Sequence, residues 1–209
     1  MKTGGEVVFA CLPTNDLFVT LGASLGQAPL RYDTPTEAIG KAPFGGVAII
    51  LADGYPRHPT MVNAALFALA AEKHLRLFIE YPDALPGLDI GKPKRNKWLR
   101  GVVVSGFFGH DLKPMRIVSI NGCTHVPVKV ANAHMVLARV VGVDTAVFGL
   151  DNTPTTPLLF EHPSGNLLVA TTKLSQFVTG RYMPAHAWQT IWHAIFSWLF
   201  PPDMPAPVL

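Results

Sequence analysis

Charge is scarce in this sequence, with Asp, Glu, Lys and Arg making up 15% of its 209 residues. Cysteine is scarcer: Cys11 and Cys123 are too few for a disulfide framework, and their spacing is not that of a metal site. Long apolar runs are missing as well. The most apolar windows are residues 47–51, 64–71 and 191–200, and none approaches the ~20 residues of a spanning helix. The start, Met1-Lys2-Thr3-Gly4-Gly5-Glu6, leads into too short an apolar run for a signal peptide. These absences predict a soluble chain with no membrane partner, no metal and no cofactor. The compartment is left open between cytoplasmic and, if a leader was removed from a longer precursor, exported.

What the sequence has instead is 49% hydrophobic residues and a mean hydropathy of +0.28. Low charge with high apolar content suits strands covered on both faces, as in a layered α/β fold. The length predicts one domain over residues 1–200, with a proline-rich tail or truncated linker at 201–209. The net charge of +3 is small, and its local concentration is Lys92-Pro93-Lys94-Arg95-Asn96-Lys97, followed by Trp98 and Arg100. So short a run with one aromatic reads as a solvated loop, and no nucleic-acid partner is expected.

Residues 6–12, 30–32, 46–51 and 76–80 are apolar enough for strands, and helices fit between them. Asn15 or Asp16 can cap a helix over 17–25 that stops at Gly26. Thr34-Pro35-Thr36-Glu37 has the form of a capping box with proline at the first helical position. Residues 60–74 predict a third helix. Three strand–helix–strand steps argue a parallel, doubly wound sheet. Beyond residue 100, strand-like segments at 101–104, 115–120, 126–130, 134–141, 145–149, 158–161 and 167–171 follow without helices between them. Val143-Asp144 and Ser164-Gly165 are turn centres, so these strands should pair as antiparallel hairpins. A final helix over 185–199 carries Trp188, Ile191, Trp192, Ile195 and Leu199 in one stripe, ended by Pro201-Pro202.

Cys123, in "INGCTHVPV", resembles a displayed nucleophile. A nucleophile elbow needs small residues two before and two after, and a helix behind it. Asn121 and His125 occupy those positions, and Val126-Pro127-Val128 is no helix start. It reads as a turn residue, and Cys11 as core. The carboxyl ends of parallel strands are where open α/β sheets bind ligands. There, Asp53 with His58 forms a candidate acid–base pair, Glu80 is a third catalytic candidate, and Tyr55, Arg57 and Tyr81 are candidate ligand contacts. A polar stretch before the last helix adds Lys173, Arg181 and Tyr182 to the ligand-binding set. Glu161 and His162, adjacent on a strand, point to opposite faces and do not share a site.

The element order, the late hairpin Phe160-Glu161-His162-Pro163-Ser164-Gly165-Asn166-Leu167 and the closing helix together resemble the class I glutamine amidotransferase-like superfamily. The nearer likeness is to its trehalose-utilisation-type and glycoside-hydrolase-associated branch. "TTKLSQFVTGRYMPAHAWQTIW" is similar to stretches of bacterial carbohydrate-degrading proteins. The resemblance implies a flavodoxin-like three-layer sandwich with a mostly parallel sheet and an antiparallel, β-rich C-terminal half. It also implies a Gly-x-Cys-x-Gly elbow after the fourth strand, where this chain has Leu77-Phe78-Ile79-Glu80-Tyr81-Pro82-Asp83, with no thiol and with a proline lacking the N–H an oxyanion hole uses. The family's late His-x-Glu is replaced by Glu161-His162. The expectation is therefore a non-catalytic binding or assembly module in saccharide metabolism, with a saccharide ligand and with homo-oligomer or neighbouring-domain partners. Its alternative is a cysteine-independent hydrolase using Asp53, His58 and Glu80.

Overall fold

The computed structural model describes residues 7–120, 122–177, 185–200 and 207–209; most of the expected tail lies outside them. The first half follows the expected order. β1 (Val7–Ala10), α1 (Asp16–Leu25), β2 (Leu30–Tyr32), α2 (Pro35–Lys41), β3 (Val47–Ile50), α3 (Ala64–Glu72) and β4 (Arg76–Glu80) alternate along the chain. Side-chain caps set the helix starts. Asn15 Oδ1 accepts the Leu17 N–H at 3.0 Å, and Thr34 Oγ1 accepts the Glu37 N–H at 3.2 Å with Pro35 behind it.

The third helix begins later than the sequence suggests. Thr60 does not start it, because its N–H bonds the Tyr81 carbonyl at 2.7 Å and its hydroxyl bonds the Glu80 carbonyl at 2.7 Å. Those bonds seat Thr60 in a parallel bridge to Pro82 just past the end of β4. Asn63, whose Oδ1 accepts the Leu66 N–H at 3.0 Å, is the cap instead.

The second half contributes β5 (Lys94–Arg95), β6 (Arg100–Val103), β7 (Ile117–Val118), β8 (Thr124–His125), β9 (Met135–Ala138), β10 (Thr155–Glu161), β11 (Leu167–Ala170) and α4 (Ala185–Leu199). Residues 126–130 and 145–149 make only isolated bridges, at Val128 and Thr145. Pro127 has no N–H with which to continue a ladder. Nine strands form one sheet in the order β2-β1-β3-β4-β11-β10-β9-β6-β7, while β5 and β8 make a separate ribbon. β2, β1, β3, β4 and β11 are parallel. Antiparallel pairing then carries the sheet through β10, β9 and β6 to β7. Within this nine-stranded sheet, β10 and β6 therefore run against the common direction. β11 differs from the hairpin expectation: it pairs antiparallel with β10 on one side but parallel with β4 on the other.

Alternating strand residues feed two cores, as period-two side-chain placement requires. Phe9, Ile49, Phe78 and Leu168 pack with α1 and α4, whereas Val8, Ile50, Ile79 and Val169 pack with α2 and α3. Helices thus cover both faces of the parallel strands, which accounts for strands that are apolar throughout.

Two histidines of the β-rich half, buried His125 and half-buried His134, have lowered pKa values. Burial lowers the pKa of His125, aided by the Lys94 charge paired opposite it, and burial lowers that of His134 against the pull of Glu161. Each takes up a proton less readily in the fold than in the unfolded chain, whose histidines titrate near the usual value of 6.5. Their contribution to stability is complete above that pH and falls as pH drops below it. Thermal melts from about pH 7 to about pH 5 should show a shallower loss in His125→Leu than in wild type. An identical slope would contradict this assignment.

Candidate functional site

At the carboxyl edge of the parallel strands, β1 delivers Cys11 and then Asn15, and β3 delivers Ala52 and Asp53. β4 ends in Glu80 with Tyr81 just beyond it, and β11 leads to Thr172, Lys173 and Ser175. α1 and α3 pack on opposite faces, so the switch-point crevice opens between β1 and β3. It holds a small cavity of about 170 Å³, lined by Asp33, Asp53, Gly54, Thr60 and Met61 among others.

Glu80 dominates this edge from the inside. It is fully buried, and its carboxylate accepts hydrogen bonds from the N–H groups of Leu174 (2.8 Å), Ser175 (2.7 Å) and Ala52 (3.1 Å) and from the Ser175 hydroxyl (2.9 Å). A carboxylate has about four lone-pair sites, and all are taken. The Asn15 amide donates to Ser175 Oγ at 3.3 Å while its oxygen caps α1. One buried network thereby ties the loops after β1, β3, β4 and β11 together. Burial raises the Glu80 pKa, and the Lys173 charge and the N–H donors draw it back. The same balance acts on half-buried Asp53, raised by burial and lowered by Lys173 and the polar hydrogens of Leu12 and Asn15.

The other expected residues divide. Tyr55 and Tyr81 meet edge to face at 5.1 Å. The Tyr55 hydroxyl accepts the Thr124 N–H at 2.6 Å, and Tyr81 donates to the Pro56 carbonyl at 3.2 Å. Tyr81 is buried in left-handed backbone, φ 50°. Arg57 and His58 are exposed, and among the described residues no hydrogen bond or ion pair joins either to Asp53. Arg181 and Tyr182 lie outside the described residues. Both thiols are buried: Cys11 is pushed up to about 12 by desolvation and the Asp53 charge, and burial raises Cys123, whose sulfur accepts from Asn96 at 3.3 Å. His162 bonds the Pro86 carbonyl at 2.8 Å and Ser164 at 2.9 Å, while Glu161 faces His134 at 3.3 Å. Among the described residues no group of three or more His, Cys, Asp or Glu is placed to hold a metal.

A second concavity lies in the β-rich half. An open cleft of about 930 Å³ is lined by Arg95, Lys97, Trp98, Arg100 and Arg139 with residues of the 140–143 loop. The strand pairing of Arg100 with Ala138 places Arg139 beside the basic run. A signal was available. Residues 92–139 hold nine Lys and Arg against one acidic residue, Asp111, so the modest net charge hides a segregated one.

Compared with known proteins, the chain matches no family model, no curated protein and no solved structure.

Proposed function

We propose that the chain is a non-catalytic, class I glutamine amidotransferase-like domain that serves as a binding or assembly module in saccharide metabolism. The strand order 2-1-3-4, extended by β11 and covered by helices on both faces, supports a flavodoxin-like three-layer arrangement. The turn after β4 carries the functional reading. Tyr81 stands where the resemblance would put a nucleophile, in the left-handed conformation suited to an elbow, but it is buried and bonded to Pro56. Beside it, Glu80 has no free acceptor with which to take a proton. A buried carboxylate and a phenol fill the space that chemistry would use.

The cysteine-independent hydrolase keeps one favourable observation: Asp53 is half-buried, its pKa is raised, and it faces the small cavity. A panel of amide, ester and glycoside substrates separates the two. No turnover above background is expected from wild type. Turnover abolished by Asp53→Asn in a folded protein would establish the hydrolase instead.

A further inference from the structure

We infer that the saccharide bound by this module is acidic, a chain bearing carboxylate or sulfate groups, held in the basic cleft with Trp98 as its stacking platform. This rests on the reading of the chain as a saccharide-binding module and names where and what it binds. The switch-point crevice, the default site in such sheets, is small and its walls are knit by the Glu80 network. The cleft is roomy, and its charged lining consists of Arg95, Lys97, Arg100 and Arg139 with no carboxylate. Guanidinium and ammonium groups only donate hydrogen bonds. Neutral sugar hydroxyls need acceptors as well as donors, whereas carboxylate and sulfate oxygens need donors alone, and arginine holds them two-pronged.

Trp98 supplies the other half of the recognition. It is 85% exposed, so it contributes little to the core, and it sits in left-handed backbone at φ 66°. That conformation is costly for a bulky residue, and such cost concentrates at functional positions. Its neighbour Asn96 is buried and pins the segment through its N–H to the Cys123 carbonyl at 2.8 Å and its amide to the Ile120 carbonyl at 3.0 Å. On the opposite wall the Arg100 guanidinium donates to the Gly142 carbonyl. Gly142 has φ 137°, and a Cβ there would meet the Thr145 carbonyl oxygen at 1.9 Å, so only glycine fits this bend. Both walls are therefore fixed before a ligand arrives, and a sugar ring can stack on the indole while its charges meet the cations. Single-stranded nucleic acid fits less well, because successive bases stack on successive aromatics and this cleft offers one.

The test is titration calorimetry of the full chain with four polymers of matched length: polygalacturonate, dextran sulfate, neutral dextran and a single-stranded oligonucleotide. At least one acidic glycan should bind, and neutral dextran at least ~10-fold more weakly, with affinity falling as salt rises. Trp98→Ala and the exposed-site pair Arg95→Ser with Arg139→Ser should each weaken acidic-glycan binding ~10-fold while leaving the melting temperature unchanged. Binding that Trp98→Ala leaves intact is plain ion exchange and overturns the inference. Equal binding of neutral dextran, indifferent to these variants, also overturns it but preserves the saccharide module. If no glycan binds, or the oligonucleotide binds most tightly and responds to the same variants, the saccharide reading falls with it. The carboxylated and sulfated arms identify which acid group the cleft takes.

Discussion

Glu80→Ala should destabilise the chain severely, bringing its urea midpoint far below that of wild type. The substitution strips the acceptor from three buried N–H groups and one hydroxyl. An unpaired buried donor costs ~1–3 kcal/mol, so the total is on the order of 4 kcal/mol or more even if water recovers part of it. That is a large share of the ~5–15 kcal/mol that holds a domain folded. Glu80→Gln tests the same geometry more gently. It keeps the volume but points an amide NH₂ at groups that are themselves donors, for an expected loss of ~2–3 kcal/mol. Urea midpoints measure both. A catalytic carboxyl would behave differently: its glutamine variant would keep the wild-type midpoint and lose a reaction. Wild-type stability in both variants would remove Glu80 from the centre of the fold.

Trp192→Ala carries the second large effect. Trp192 is fully buried on α4 and meets Phe78 of β4 edge to face at 5.3 Å, with Phe196 at 5.6 Å. Truncating it removes the contact through which the last helix grips the centre of the parallel sheet. Such truncations cost ~3–5 kcal/mol, or roughly 6–20 °C in melting temperature at this chain length. Trp192→Phe should cost much less. The indole N–H has no hydrogen-bond partner among the described residues, so phenylalanine deletes a polar group that earns nothing. If both variants melted alike, the helix would not be held by this contact.

The first half of the fold and the last helix are legible because each signal there is local. Thr34-Pro35-Thr36-Glu37 makes its own cap, and the Trp188-to-Leu199 stripe makes its own buried face. The start of α3 was misplaced because Thr60 looks like a cap until β4 claims its N–H and hydroxyl. The position of β11 was not legible at all. A strand's apolar pattern says that it is buried, not that its neighbour is β4 from far back in the chain.

The site divides in the same way. Glu80 stood out as an acidic residue at a strand end, but most of its donors are backbone N–H groups, which leave no mark in a sequence. Asp53 and His58 are close in sequence, yet the loop leaves His58 exposed and unbonded to Asp53. The basic run has the composition of a solvated loop, and its basic side chains are exposed except half-buried Arg100, with Asn96 buried among them. What sequence reading missed was that β6 and β9 bring Arg139 to it and make a cleft of the surface.

The direct measurement is backbone amide chemical-shift mapping while the chain is titrated with an acidic oligosaccharide. Shifts should gather on residues 95–100 and 139–143 and on the Trp98 indole, while the amides of Ala52, Leu174 and Ser175, bonded to Glu80, stay where they are. Shifts centred on Asp53, Ala52 and Ser175, with Trp98 silent, would contradict it and return the site to the carboxyl edge.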